Sequence, residues 1–170
     1  GLRRLNHQID YNRAWPGTDI GDCYETRLMQ KVFDIMSTRS PFASVDIHNN
    51  TGQNPHYGCV NYLDHRLLHL ASIFSPIIVY FQLPLGVQSR AFASLCPAIT
   101  VECGKPHLPG SQQHAEAFLL TCLELKTISD KPLQKEVGLY HTIATVTVPD
   151  NCTISFDETP RDVCFVKDLD

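Results

Sequence analysis

Three short polar motifs in this chain combine residue types that can carry out hydrolytic chemistry. They are Asp-Tyr-Asn-Arg at residues 10–13, Asp-Ile-His at 46–48 and Thr-Val-Glu-Cys-Gly at 100–104. Each motif comes where a predicted strand or turn ends, and functional sites of open α/β sheets collect at the carboxyl ends of strands. The three motifs are therefore the first candidates for a common site.

His48 is the candidate metal ligand. Side chains alternate between the two faces of a strand, so Asp46 and His48 are predicted to point the same way. A carboxylate beside an imidazole suits a metal ligand together with the group that orients it. Because a single histidine is a weak signal, the motif also fits a strand-end histidine that makes an ordinary hydrogen bond.

Glu102 is the candidate acid or base. It follows the apolar run 98–101 and comes shortly before Gly104. A carboxylate inside a buried strand is costly unless it is paired, lies near a metal or takes part in catalysis. The alternative is a glutamate on the exposed face of an edge strand, and the pattern by itself does not separate the two.

Asn12, Arg13 and Arg90 are the candidate substrate contacts. A guanidinium recognises a carboxylate through two parallel hydrogen bonds, which suits Arg13 with Asn12 assisting. The same residues also fit a surface turn in which Arg13 stacks on Trp15. Arg90 lies twelve residues before Glu102 and is either a second anion contact or a solvated charge on a helix.

The elements that must position these residues alternate between helices and strands. Apolar residues spaced three and four positions apart predict helices, and apolar runs rich in β-branched residues predict strands. The predicted helices are 22–36, 64–75 and 111–128, the predicted strands are 42–47, 57–62, 77–81 and 97–103, and 89–95 is either a short helix or a loop. This order predicts an α/β sheet layered between helices.

The pattern changes after Pro132. Residues 138–149 show the two-residue alternation of a β-strand and have no predicted helix as a partner. Residues 151–156 and 162–166 look like further short strands. We therefore predict an α/β domain over 1–132, followed over 133–170 by the start of a β-rich module too small to close a core.

Composition limits the class of protein. The chain has 170 residues, 43% hydrophobic and 19% charged, as in soluble globular domains. Its net charge of −4 argues against nucleic acid or an anionic membrane as a partner, and no apolar run is long enough for a membrane span. Seven cysteines without a Cys-x-x-Cys pair favour reduced, buried thiols in a cytoplasmic protein over a disulfide framework.

Taken in order, the three motifs resemble the succinylglutamate desuccinylase/aspartoacylase family, which is related to the zinc carboxypeptidases. The similarity covers residues 10–13, 46–52 and 99–104, and residues 139–146 resemble the opening of that family's β-rich C-terminal module. The resemblance implies a mixed sheet between helices, a zinc cofactor, and hydrolysis of an amide bond in an N-acylated amino acid or peptide that carries a free carboxylate.

The resemblance also implies a role for each candidate residue. His48 matches a zinc ligand and Glu102 matches the general base. Asn12 and Arg13 match the pair that binds the substrate carboxylate. Arg90 lies near the position of another substrate-binding arginine. Arg3 and Arg4 are off by one or two in spacing from the arginine that polarises the scissile carbonyl, so neither is assigned that role.

The chain departs from the family in its metal ligands. The family's other two ligands come from a His-x-x-Glu motif well before Asn-Arg, whereas this chain starts eleven residues before Asn12 and contains no His-x-x-Glu. His65 and His69 have the spacing of one helical turn, but no glutamate accompanies them, which favours a helix surface. We therefore expect a segment of a longer protein, because a zinc site of the usual kind takes three protein ligands or more.

Two other readings remain open. One is a non-catalytic fragment or binding domain that keeps the fold without a complete metal site. The other is a Cys-His hydrolase that uses Cys59 or Cys103. Burial of Cys103 in a strand and the lack of an evident orienting residue argue against this second reading. The sequence indicates neither the acyl group nor the oligomeric state.

Overall fold

A computed structural model describes residues 5–50, 52, 54–106, 110–147 and 149 of the chain. A 3-10 turn, Tyr11–Arg13, precedes the first helix. The helices are α1 Tyr24–Ser37, α2 His65–Phe74, α3 Gln88–Phe92 and α4 Ser111–Glu124. The strands are β1 Ser44–His48, β2 Tyr57–Val60, β3 Ile77–Tyr80, β4 Ala98–Glu102 and β5 Gly138–His141.

The predicted fold class is confirmed, with every predicted helix and strand of the α/β part present within a few residues. The stretch 89–95, for which the sequence allowed a helix or a loop, contains helix α3. Helix α4 ends at Glu124 rather than near Ile128, because Leu125 adopts an extended backbone conformation.

The five strands form one mixed sheet in the order β1-β4-β2-β3-β5. Strand β1 runs parallel to β4, while β2 runs antiparallel to β4 and parallel to β3. The register places His48 opposite Glu102 on one side and Tyr57 opposite Glu102 on the other. The carboxyl ends of β1 and β4 therefore meet at one edge of the sheet, beside the start of β2.

Helices pack on both faces of the sheet, and alternation along β4 separates the two layers. Ile99 and Val101 belong to the main core with α2 and α4. Ala98, one residue away, packs instead against Phe92 of α3 and the partly buried Trp15. The even-numbered residues of β4 thus face the layer that contains α3 and the Asn12-Arg13 turn, which is the face where a site can form.

Strand β5 lies within the segment assigned from sequence to a separate β-rich module. In the structure it pairs in parallel with β3 as the fifth strand of the main sheet, and residues 142–147 form no strand. The predicted strands 151–156 and 162–166 fall outside the described residues. The module over 133–170 and its boundary therefore stay predictions.

Two general expectations can be compared with the described part of the chain. None of its helices is both long and apolar enough to cross a membrane. The cysteines in this part of the chain are free thiols: Cys23, Cys59, Cys96, Cys103 and Cys122.

Close contact between β2 and α2 yields a stability prediction. A Cβ placed on Gly58 would lie 2.9 Å from Ala71 Cβ and 3.3 Å from its backbone, so Gly58→Ala overpacks this contact. We expect a loss of about 1–3 kcal/mol in the free energy of unfolding, measured with urea. Gly21→Ala is the matched control, because a Cβ there meets nothing within 4 Å. Equal stability of the two variants would contradict the packing of α2 on β2.

Candidate active site

The turn that carries Asn12 and Arg13 is held by hydrogen bonds from both of its ends. Asp10 caps it, with the side-chain Oδ1 accepting from the Asn12 amide at 2.9 Å and the carbonyl accepting from the Arg13 amide at 2.8 Å. The Thr18 hydroxyl donates to the Arg13 carbonyl at 2.7 Å. The two candidate side chains therefore project from a fixed backbone.

A cavity of about 370 Å³ lies on the face of the sheet where β1 and β4 end. Four of the five site residues predicted from sequence line it: Asn12, Arg13, His48 and Glu102. Its other lining residues are Asn49, Asn50, Cys59, Phe81, Pro84, Val87 and Thr100. Residues up to 90 positions apart in the chain thus share one space.

Asp46 and His48 point the same way, as the strand alternation predicts. His48 Nε2 lies 2.9 Å from Asp46 Oδ2. The two side chains are 25% and 15% exposed, so the pair is largely shielded from water. This arrangement matches an imidazole whose orientation is set by a neighbouring carboxylate.

The Asn12 amide makes contacts on both of its polar atoms. Its Nδ2 donates to Asp46 Oδ2 at 2.9 Å and lies 3.1 Å from His48 Nε2. Its Oδ1 accepts from the backbone amide of Gln88 at 2.9 Å. Asn12 therefore links the 3-10 turn to strand β1 and to the start of helix α3.

Glu102 lies at the end of β4, with its Oε2 shielded from solvent. Its charge acts on two neighbouring groups of β2. Burial, followed by the charge of Glu102, raises the pKa of Tyr57 to about 12, and the same two causes raise the pKa of Cys59 to about 12. Glu102 thus sits in a low-dielectric position where its charge is felt strongly.

These pKa values bear on the Cys-His hydrolase. Cys59 lines the cavity, but with a pKa of about 12 it is a neutral thiol at physiological pH. Burial, and then Glu102, also raises the pKa of Cys103. Because the thiolate is the nucleophile, both cysteines are poorly suited to nucleophilic catalysis.

The two predicted arginines lie in different surroundings. Arg13 lines the cavity and is the one cation among the described residues that do so, with its Nη1 donating to the Asn12 carbonyl at 2.6 Å. Arg90 does not line the cavity. Its Nη1 donates to the Gln82 carbonyl at 3.0 Å, and its guanidinium carbon lies 5.7 Å from the centre of the Tyr62 ring. The role of Arg90 in substrate binding remains a prediction without geometric support.

The described residues provide a place for one zinc ligand and not for a full set. Among them, no group of three His, Cys, Asp or Glu side chains converges on a point that could hold a metal ion. His48 beside Asp46 has the chemistry of a single ligand with its orienting carboxylate. His69, of the other candidate pair, instead contacts the Lys131 carbonyl through Nε2 at 2.8 Å.

Two residues that contribute to the site were not predicted from the sequence. Gln88 supplies the backbone amide that binds Asn12, and a backbone contact leaves no signal in residue type. Asn50 lines the cavity with its amide buried. Its place two residues after His48, where a strand turns into a polar loop, was the available signal.

Comparison with solved structures finds the same fold in two succinylglutamate desuccinylases and in an ectoine utilization protein. The chain is 12% identical to succinylglutamate desuccinylase from Chromobacterium violaceum, with a TM-score of 0.62 over 96% of this chain and 57% of that one. It is 15% identical to succinylglutamate desuccinylase from Vibrio parahaemolyticus, with a TM-score of 0.57 over 92% and 52%. It is 14% identical to the ectoine utilization protein EutE (DoeB) from Ruegeria pomeroyi, with a TM-score of 0.55 over 79% and 47%.

The chain has the succinylglutamate desuccinylase fold. The resemblance seen in the three motifs is thereby confirmed at the level of the fold. The chain spans about half the length of these solved structures. No family model and no curated protein sequence matches it.

The position of Arg13 depends on a glycine in the loop before α3. Gly86 has φ +68°, and its carbonyl accepts from the Trp15 amide at 3.1 Å. A Cβ on Gly86 would overlap the Arg13 carbonyl and lie 2.8 Å from Thr18 Cβ, so Gly86→Ala must displace the turn that carries Arg13.

We expect Gly86→Ala to lower the free energy of unfolding by roughly 3 kcal/mol or more, from strain and overlap together. Gly17→Ala is the control, because Gly17 has φ +90° but no atom within 4 Å of the added Cβ. It carries the backbone strain alone, about 1–2 kcal/mol. Urea unfolding compares the two variants, and equal losses would contradict the close approach at Gly86.

Proposed function

We propose that this chain carries part of the catalytic site of a zinc-dependent hydrolase. The reaction is cleavage of an amide bond in an N-acylated amino acid or peptide that bears a free carboxylate. The observation that supports it is the single cavity lined by Arg13, His48 and Glu102, three residues with the chemistry of an anion contact, a metal ligand and a proton carrier. The desuccinylase fold agrees with a hydrolase of this class.

Zinc would have one ligand among the described residues, His48, with Asp46 orienting it. When bound, such an ion polarises a carbonyl and lowers the pKa of a coordinated water. The remaining ligands would have to come from outside the described residues. The roles below concern only what the chain's own side chains do.

Glu102 would carry the proton. Its carboxylate takes the proton of the attacking water as the carbon–oxygen bond forms, and it returns that proton to the leaving amine as the carbon–nitrogen bond breaks. The position of Glu102 suits this task, because it lines the cavity with its Oε2 shielded from solvent.

Arg13 would fix the substrate by its free carboxylate. A two-pronged contact between guanidinium and carboxylate determines orientation as well as position. Arg13 is partly buried, and its guanidinium already faces a carbonyl oxygen of its own turn, so exchange of one oxygen acceptor for another would suffice.

We predict that Glu102→Gln lowers the rate of hydrolysis by about 10²–10⁴-fold, because the amide cannot accept the proton of the attacking water. The assay follows release of the free amino acid from N-acyl amino acids with zinc supplied, and zinc per chain is measured in parallel. Zinc binding is expected to be unchanged, since Glu102 is not assigned as a ligand. Near-normal turnover of the variant would reject the role of Glu102.

We predict that Arg13→Ala raises KM about 10–100-fold for substrates with a free carboxylate, because a charged pair of hydrogen bonds is lost. For the same substrates as neutral amides, the change should be within about twofold. Arg27→Ala is the control: Arg27 is an exposed cation paired with Asp22, away from the cavity. Equal losses on acid and amide substrates would contradict the role of Arg13.

A binding domain without catalysis is the second candidate. It is favoured by the absence of a three-ligand metal group among the described residues. Zinc content and hydrolysis, measured on the same preparation, separate the two candidates. Stoichiometric zinc with turnover supports the hydrolase. Binding of an acylamino acid with neither zinc nor turnover supports the binding domain. The cytoplasmic location remains a prediction.

A further inference from the structure

We infer that Ser89 is a positioning residue of the proposed site. Its hydroxyl anchors helix α3 to strands β2 and β4, and this anchor holds the start of α3 where it binds the turn that carries Arg13. Ser89 is 1% exposed and is not among the residues that line the cavity. Only its effect on catalysis rests on the proposed function, because the anchor itself can be tested without a substrate.

Three buried polar side chains from separate elements form one line of hydrogen bonds. The Thr100 hydroxyl of β4 donates to Ser89 Oγ at 3.0 Å, and Ser89 Oγ donates to Asn61 Oδ1 at 2.7 Å. Asn61 directly follows β2, and its Nδ2 donates to the Phe81 carbonyl at 3.2 Å. Thr100 and Asn61 are 7% and 1% exposed, so these side chains have little access to water.

The direction of each hydrogen bond in this line follows from the chemistry of its groups. Because Asn61 uses Nδ2 to reach the Phe81 carbonyl, its oxygen faces Ser89, and an amide oxygen only accepts. A hydroxyl carries one proton, so Ser89 donates to Asn61 and accepts from Thr100. Loss of the Ser89 hydroxyl therefore removes the donor to Asn61 and the acceptor of Thr100 together. Such a double loss is costly in a buried position.

Helix α3 needs this anchor because apolar packing does not fix its position. The helix has five residues, too few to be stable on its own. Its Phe92 packs in a cluster with Ala98 and Trp15, but apolar attraction is non-directional. Gln88 Nε2 also donates to Ser44 Oγ of β1 at 3.1 Å, through a long side chain that restrains the helix backbone less than the short side chain of serine does. The directional bonds of Ser89 therefore set where the helix begins.

The start of α3 is where the helix meets the 3-10 turn that carries the anion contact. The Gln88 backbone amide donates to Asn12 Oδ1 at 2.9 Å, and the Gly86 carbonyl accepts from the Trp15 amide at 3.1 Å. Gln88 and Gly86 lie one and three residues before Ser89, so a shift of α3 moves both groups. The anchor on β2 and β4 thus acts on the turn through the backbone of α3.

Hydrogen exchange on the full chain tests the anchor in the variant Ser89→Ala. The measured quantity is the exchange rate of the Gln88 backbone amide divided by that of the Val101 amide, which lies in the interior strand β4 and reports unfolding of the sheet. We expect this ratio to rise about tenfold or more, because the bond from Gln88 to Asn12 opens while the sheet stays folded.

Ser72→Ala is the matched control for loss of a buried serine hydroxyl. Ser72 is 5% exposed, but its hydroxyl donates at 2.8 Å to the His69 carbonyl of its own helix, so the ratio should not change. Ser89→Cys keeps a weak donor and should give an intermediate ratio, and it decides the matter if Ser89→Ala does not fold. An unchanged ratio in the folded Ser89 variants would overturn the inference, as would an equal rise in Ser72→Ala.

A kinetic measurement connects the anchor to the proposed function. If the wild type hydrolyses acylamino acids, Ser89→Ala should raise KM about threefold to tenfold for substrates with a free carboxylate, because Arg13 moves with its turn. KM for the same substrates as neutral amides should change less than about twofold. Equal changes on acid and amide substrates would overturn the positioning role. A wild type without hydrolysis would reject the proposed function, and hydrogen exchange would still decide whether Ser89 anchors α3.

Discussion

The parallel pairing of β1 with β4 determines which side chains come together in the site. In this register His48 lies opposite Glu102, so two strands separated by 49 residues of chain end side by side. Alternation then places Asp46 and His48 on one face together with Thr100 and Glu102. A shift of one residue in the register would send one set of side chains into the core under α2, where a charged group is costly. The packing of Ile99 and Val101 in that core therefore also fixes the position of the polar residues.

The antiparallel partner of β4 gives the site its electrostatic character. Strand β2 starts where β4 ends, which places Tyr57 opposite Glu102 and Cys59 opposite Thr100. Burial, and then the charge of Glu102, raises the pKa of both Tyr57 and Cys59 and keeps their protons in place. The Glu102 carboxylate thus lies near a phenol and a thiol that both keep their protons at physiological pH. Burial and a nearby negative charge both disfavour the ionised form of a phenol or a thiol.

The third side of the site comes from outside the sheet. The turn with Asn12 and Arg13 reaches the cavity because it packs on the loop before α3, where only a glycine lets the two backbones approach. The Asn12 amide then connects turn, strand and helix. Because the side chains of the cavity come from separate elements, this connection fixes their positions relative to one another.

The sequence alone determined the helices and strands of the α/β part, the common direction of Asp46 and His48, and four residues that meet in one cavity. These follow from periodicity and from ordered motifs, which are local properties of the chain. Tertiary structure decided the rest: β5 joins the main sheet, Arg90 turns to Gln82 and Tyr62, and Asn12 turns to Asp46. A residue type predicts what a side chain can do. Which partner it meets depends on strand order and on backbone contacts such as those of Gln88 and Gly86, which leave no pattern in the sequence.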